Sequence, residues 1–215
     1  MSTRTRKPAA ERREQIAQAV LQIIGKRGLT SLTTMTIADE VGVTSGALFR
    51  HFSSLEEILE ETVGVALGQM EATFPDRALP PMERLLTLAK NRIRLLGSNP
   101  GLAWLLSSEQ AQLTLPKDAV VRLQELVDRS KRYLLDTIKD GVSQGVIRDD
   151  IEPQVLLVPV LGTIHALIRM PGGQRSSAAE PHRDPHRVLS ALEQLLRPAQ
   201  TCSDLLMRRH PADEK

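Results

Sequence analysis

The turn that joins two short helical patterns at residues 42–44 constrains the fold of this chain more than any other feature. Ala38 is small enough for two helices to cross closely, and Gly42, four residues later, accepts the positive φ of a sharp turn. Thr44 is a favourable N-cap for a second helix, which the pattern predicts over 45–51. The apolar residues that would lock the two helices together are Ile37, Val41, Val43, Leu48 and Phe52. The pattern therefore predicts a helix-turn-helix.

The face that this packing leaves outward is unusual for a helix that only covers a core. Its residues are Ser45, Gly46, Ala47, Phe49, Arg50 and His51. Small residues at the start of a recognition helix let its backbone approach base edges in the major groove, and hydroxyls, cations and a helix N-terminus suit phosphates. Taken singly, Thr44 and Ser45 could merely cap, and Gly46 and Ala47 could be neutral filler. The whole arrangement at this spacing favours DNA recognition.

The charge of the chain is segregated in the way that a basic DNA-binding module attached to a neutral body requires. Residues 1–52 hold eight Lys or Arg against four Asp or Glu, whereas the remainder holds 20 against 22. The first ten residues form a basic arm that contains Arg4, Arg6 and Lys7. This arm could reach the DNA backbone or the minor groove, or it could be a solvated tail.

Helical periodicity covers most of the chain, and no segment alternates as a strand would. Because aromatic residues make up only 2% of the chain, the core must consist mainly of Leu, Val, Ile and Ala, which suits an all-α fold. Ser53 and Glu56 have the spacing of a capping box and predict the start of a long fourth helix. The helices are predicted over 11–28, 34–41, 45–51, 54–73, 82–96, 102–113, 117–144, 155–170 and 188–196. Residues 75–81 are predicted as a proline-rich linker.

The stretch TTMTIADEVGVTSGALFRHFSSLEEILEE, residues 33–61, resembles the DNA-binding region of the tetracycline-repressor (TetR) family of transcription regulators. The resemblance implies that Thr34, Thr44 and His51 contact phosphate, and that residues 45–47 and Arg50 lie on the base-reading face. Where this chain has Phe49 the family usually has a tyrosine, so one hydroxyl contact to phosphate is missing. We expect this loss to weaken the sequence-independent part of DNA binding, for which the basic arm could compensate.

The resemblance also implies an organisation into a small reading head and a larger body. We expect a flexible arm over 1–10, a three-helix helix-turn-helix domain over 11–52, and a helical effector-binding and dimerisation domain over 53–215. Within that body, residues 171–184 are expected to form a loop, and the order of the segment after Pro198 cannot be predicted.

The helix predicted over 155–170 is apolar on nearly every face, which indicates that it meets another helix on each side. Gly162 and Ala166, four residues apart, would allow a close approach. The predicted dimer interface consists of Val158, Leu161, Gly162, Ala166, Leu189, Leu192 and Leu196. Two such helices from each subunit would form a four-helix bundle, and the resulting homodimer would bind a palindromic operator on double-stranded DNA. The alternative is a helix buried wholly within one subunit.

An effector pocket is implied by the family, whose members hold small molecules among the helices of the body. Trp104 and Tyr133 could stack on a ligand or hydrogen-bond to it, and His165 is a polar group within an apolar helix. Each could equally be a core residue with its polar atoms satisfied. With so few aromatics, we expect a mainly apolar small-molecule effector.

Other classes of function have little support in the sequence. Paired catalytic carboxylates, a nucleophile–base motif and a phosphate-binding glycine loop are all missing, so we expect neither an enzyme nor a cofactor. His182, Asp184 and His186 lack a further ligand in sequence, and we expect no metal site. No apolar run reaches the roughly 18 residues of a membrane span, and a cytoplasmic location is expected. The prediction is a ligand-released repressor; the alternatives are a DNA-bound scaffold for a protein partner and a helical enzyme or carrier.

Overall fold

A computed structural model describes residues 8–169 and 184–199. These residues form ten α-helices and a single 3-10 turn at Leu29–Ser31, with no strand among them, which confirms the all-α prediction. The helices are α1 (Ala9–Arg27), α2 (Thr34–Val41), α3 (Ser45–Leu48), α4 (Leu55–Glu71), α5 (Pro81–Ser98), α6 (Pro100–Ser107), α7 (Glu109–Thr114), α8 (Lys117–Ser143), α9 (Pro153–Arg169) and α10 (Pro185–Leu196). The arm residues Arg4, Arg6 and Lys7, the loop up to residue 183 and the chain from residue 200 lie outside the described residues.

The start of α4 corrects the predicted capping box by one residue. Ser54, rather than Ser53, is the N-cap, and its side chain accepts a hydrogen bond from the Glu57 backbone N–H at 3.1 Å. Glu57, rather than Glu56, reaches back, and its carboxylate accepts hydrogen bonds from the backbone N–H and the hydroxyl of Ser53 at 2.6 and 2.8 Å. The cap satisfies helix N–H groups that would otherwise have no partner.

Two further helices are shorter than predicted. The third helix ends at Leu48 because the backbone N–H of Arg50 and of His51 each bond three residues back, to the carbonyls of Ala47 and Leu48. The helix predicted over 102–113 is two helices, α6 and α7, because Ser108 takes an extended conformation between them.

The described residues bury two apolar cores, and these cores do not coincide with the predicted division at residue 52. The first core combines α1 to α4 with α6, α7 and the first half of α8. The second core combines α5, the second half of α8, α9 and α10. The reading head therefore shares its core with part of the body.

The contact between α1 and α6 is a backbone contact that only glycine permits. A Cβ atom built on Gly101 of α6 would lie 1.8 Å from the carbonyl oxygen of Leu21 in α1. A Cβ atom built on Gly25 of α1 would lie 2.7 Å from the backbone nitrogen of Gly101. Because no side chain separates the two helices here, a shift of α6 towards α1 cannot be absorbed by a rotamer change.

Candidate DNA-binding surface and body cleft

The turn between α2 and α3 has the geometry that the sequence predicts. Gly42 has φ 70° and ψ 43°, the left-handed conformation that ends many helices. The backbone N–H of Val43 bonds to the Ala38 carbonyl at 2.9 Å, and that of Gly42 bonds to the Asp39 carbonyl at 3.1 Å. Together these bonds form a Schellman motif, which fixes the direction in which the chain leaves α2. Thr44 then caps α3, and its hydroxyl oxygen accepts a bond from the Ala47 N–H at 3.2 Å.

The recognition segment, residues 44–52, packs against the first core on one side and is exposed to solvent on the other. Leu48 and Phe52 are 0% and 2% exposed and pack into the first core. On the other side the solvent-exposed residues are Thr44, Gly46, Phe49 and Arg50, while Ser45, Ala47 and His51 are half-buried. Phe49 exposes 48% of its surface, which is a large fraction for an apolar side chain. Thr34, the first residue of α2, is also half-buried. The predicted residues between Thr44 and His51 thus lie on one short turn-and-helix segment, while Thr34 lies at the start of the preceding helix.

Arg13 of α1 fixes the end of this segment, a role that no local sequence pattern indicated. Its guanidinium donates hydrogen bonds to the His51 carbonyl at 2.7 Å, to Glu57 at 2.8 Å and to Glu61 at 2.9 Å. The same group lies 4.2 Å from the centre of the Phe52 ring, as a cation–π contact requires. One side chain therefore connects α1, the residues after α3 and the first turns of α4.

The carboxylate of Glu57 is strongly stabilised in its charged form. Hydrogen bonds from the Ser53 backbone, from Arg13 and from the Ser53 hydroxyl lower the pKa of Glu57 to about 2 from an ordinary value of 4.5. The pKa of Arg13 is raised, chiefly by its hydrogen bond to Glu57. Both partners thus remain charged over the whole neutral range, and the connection between α1 and α4 persists there.

The residues predicted for an effector pocket do not meet, which corrects that prediction. Trp104 is half-buried against the first core, whereas Tyr133 is 6% exposed within the second. The Tyr133 hydroxyl already donates a hydrogen bond to the Pro75 carbonyl at 3.1 Å. His165 is exposed on the outer side of α9, so it cannot line an interior pocket of a single chain.

A different set of residues lines a cleft of about 360 Å³ between α6, α7 and α8. Seven of its eleven lining residues are aliphatic, and the other four are polar or charged. The lining residues are Leu105, Leu106, Ala111, Gln112, Leu115, Val120, Leu123, Gln124, Val127, Asp128 and Lys131. The volume is in the range of small-molecule sites in proteins. Sequence reasoning missed these residues because they come from three helices.

The predicted dimer residues fall into two groups. Leu189, Leu192 and Leu196 are 2%, 4% and 2% exposed in the second core, so their assignment to an interface was wrong. On α9, Val158 is 69% exposed, and Gly162 and Ala166 are also exposed, while Leu161 is half-buried.

The amphipathic pattern of α10 was correct, but its apolar side faces the chain's own α5 and α9. The outer side of α10 presents Leu195, which is 67% exposed, and Ala191. Together with Val155, Val158, Gly162 and Ala166 of α9, these two residues make up what we call the α9/α10 outer face.

Two further findings concern other kinds of site. Over residues 8–169 and 184–199, no group of three or more His, Cys, Asp or Glu side chains could hold a metal ion; His182 lies outside these ranges. No helix in the described chain is long and apolar enough to cross a membrane.

The matches to known proteins cover both the reading head and the body. The sequence profile described as "Bacterial regulatory proteins, tetR family" matches residues 16–62. The HTH-type transcriptional repressor KstR2 of Mycolicibacterium smegmatis is 26% identical over 191 residues, which is 82% of this chain and 88% of that protein. The nucleoid occlusion factor SlmA of Vibrio atlanticus is 29% identical over 168 residues, 74% of this chain and 85% of that protein.

The fold is also that of solved regulators. The crystal structure of AibR in complex with isovaleryl coenzyme A and operator DNA superposes with a TM-score of 0.68. It is 18% identical, and the match covers 86% of this chain and 97% of the AibR chain. At this identity the likeness is one of fold.

Proposed function

We propose that the chain is a DNA-binding transcriptional regulator of the tetR family, and that it acts as a homodimeric, cytoplasmic repressor. It binds a palindromic operator and is released from it by a small, mainly apolar effector. The observation that supports this proposal is the geometry of the recognition segment. The small residues at the start of α3 are exposed or half-buried, while Leu48 and Phe52 anchor the segment in the first core.

On the operator, the predicted DNA-binding residues divide into two tasks. Ser45, Gly46 and Ala47 let the backbone of α3 approach the base edges, and the exposed Arg50 donates to a base or to a phosphate. Phosphate contacts from Thr34, Thr44 and His51 set the position of the head. Phe49 adds an apolar contact, and Arg4, Arg6 and Lys7 of the arm contribute cations to the DNA backbone.

The α9/α10 outer face is proposed as the dimer interface. Four of its members, Val155, Val158, Gly162 and Ala166, follow one side of α9 at helical spacing, and the small pair allows a second helix to approach closely. A symmetric pairing would bring α9 and α10 of both chains into a four-helix bundle. Leu161, half-buried beside this face, would be at its rim.

The cleft between α6, α7 and α8 is proposed as the effector site. Its aliphatic walls suit an apolar molecule, and the similarity in fold to AibR, whose structure holds isovaleryl coenzyme A, supports a small-molecule effector. Leu105 and Leu106 of the cleft lie on the same helix as Gly101, which touches α1. An effector that moves α6 would therefore move α1 and change the spacing of the two heads.

A second function is favoured by one comparison, the similarity to a nucleoid occlusion factor. In this alternative the chain is a DNA-bound scaffold that engages a protein partner through its body, with no small-molecule response. Native mass spectrometry of the purified protein, with and without DNA from beside its own gene, tests both. A dimer that binds this DNA and carries or responds to a small molecule supports the repressor. A dimer on DNA whose affinity no metabolite alters supports the scaffold, and a monomer without DNA affinity contradicts both.

A further inference from the structure

Arg92 is a buried cation that has no counter-ion among the described residues. It lies on α5, is 7% exposed, and faces α4 and α8. Its guanidinium donates to the Met70 sulfur at 3.5 Å and to the Ser130 hydroxyl oxygen at 3.2 Å, while its Nε–H has no partner. None of the ion pairs in the described ranges includes Arg92.

Arg84, two turns earlier on the same helix, is a buried arginine whose charge is paired with a carboxylate. It is 6% exposed, and its guanidinium donates to the Asp140 carboxylate at 2.5 Å. Although the Nε–H of Arg84 also lacks a partner, its charge is neutralised. Buried charges in proteins are normally paired in this way, since an unpaired one is costly. Burial lowers the pKa of Arg92 to about 10, which expresses the same cost.

The partners that Arg92 does have are weak or already engaged. A thioether sulfur is a poor acceptor, and the Ser130 hydroxyl donates its own proton to the Leu126 carbonyl at 2.8 Å. The Phe74 ring lies 5.0 Å from the guanidinium and stacks edge-on against Tyr133 at 5.1 Å. These neighbours stabilise the cation without neutralising its charge.

We propose that Arg92 binds the anionic group of the effector, and that the effector is therefore an apolar molecule with a terminal carboxylate. The inference rests on the proposed function, because it treats the ligand of this site as the effector. A carboxylate accepts two parallel hydrogen bonds from a guanidinium and would take the place of the Met70 sulfur. Asp128 and Lys131 of α8 line the cleft, whereas Ser130, between them in sequence, and Arg92 do not. Ser130 is turned away from both residues around the helix axis, so the proposed carboxylate site lies beside the cleft and not within it.

The test uses the full-length protein, octanoate, and 1-octanol as the uncharged probe of equal length. Octanoate is expected to raise the melting temperature of the wild-type protein. In Arg92→Met we expect the affinity for octanoate to fall about 10- to 100-fold, since a charge-assisted pair is lost. The effect of 1-octanol should be the same in both proteins. Without ligand, Arg92→Met should be at least as stable as the wild type, because methionine fills similar space without a buried charge.

Two controls separate a binding role from a structural one. Arg84→Met removes a paired arginine from the same helix and should lower stability while leaving the octanoate response intact. Arg92→Lys keeps the charge and should retain part of that response. The inference is overturned if no saturated carboxylate from butanoate to dodecanoate stabilises the wild type, or if the octanoate effect survives in Arg92→Met.

Operator binding, measured on the same samples, distinguishes this inference from the proposed function. Arg92 lies in the body, so Arg92→Met should bind DNA as the wild type does. Release from DNA by an uncharged compound, with no response to any carboxylate, would refute the inference and leave the proposed function standing. Binding of octanoate through Arg92 by a protein with no operator would refute the proposed function and retain the site.

Discussion

The backbone contact between α1 and α6 makes Gly101→Ala a severe change for the addition of one methyl group. The new Cβ atom would lie 1.8 Å from the Leu21 carbonyl oxygen and 2.7 Å from its carbonyl carbon, whereas ordinary contacts begin near 3.4 Å. The two helices would have to separate by roughly 1.5 Å to remove the overlap. Since the obstacle is backbone and not a flexible side chain, it cannot be relieved by a rotamer change.

The expected cost follows from that geometry. Overpacking a core costs about 1–3 kcal/mol, and a clash with backbone belongs at the upper end, so we expect a loss of about 3 kcal/mol in unfolding free energy. Gly97 provides the matched control, because it is exposed in α5 and a Cβ atom there would meet nothing within 4 Å. Gly97→Ala should be neutral or stabilising by about 0.5 kcal/mol, as alanine is the better helix former.

Urea denaturation followed by circular dichroism measures both variants, at one protein concentration because a dimer's stability depends on it. The wild-type denaturant slope should be kept in both. If Gly101→Ala unfolds within 0.5 kcal/mol of the wild type, the helices are not in backbone contact, and the proposed path from cleft to reading head is wrong.

Three further predictions concern the head and the dimer. Arg50→Ala should relax preference at one base pair by roughly 1–3 kcal/mol in competition binding; an equal loss on all sequences would assign Arg50 to phosphate. Glu57 has its pKa lowered to about 2, so its contribution to stability is complete above pH 4.5 and is lost as the pH falls through 2. Glu57→Gln should therefore have a lower unfolding free energy than the wild type at pH 7, and the difference should shrink as the pH falls towards 2. A difference that does not change with pH would refute this. Val158→Glu should yield folded monomers in sedimentation, whereas Leu113→Glu, at a site 87% exposed, should remain dimeric. If Val158→Glu is as dimeric as the wild type, the α9/α10 outer face is not the dimer interface.

Features set by neighbours in sequence were predictable, and the helix-turn-helix is the main example. The bounds of α2 were predicted correctly because Gly42 and Thr44 act locally, through one left-handed residue and one cap. The start of α4 was not, since Ser53 and Ser54 are both able caps. The choice between them depends on the Glu57 carboxylate and on Arg13, which comes from 44 residues earlier in the chain.

Features that arise from packing between distant helices could not be predicted from one sequence. A leucine stripe such as Leu189, Leu192 and Leu196 shows that α10 has an apolar side but not whether that side meets its own chain or a partner. The cleft, the Arg13 contacts and the glycine contact between α1 and α6 all join residues far apart in sequence. The mainly apolar effector that composition suggests stays a prediction.

The central claim is that two copies of α3, held in one dimer, bind a defined DNA sequence. The most direct test is to select duplexes from a pool of random DNA by their binding to the full-length protein, and then to measure their affinities at fixed salt. We expect enrichment of an inverted repeat with half-site centres a whole number of turns apart, bound at least about 10³-fold more tightly than random DNA. Recovery of no common sequence, or equal affinity for every duplex, would contradict the account.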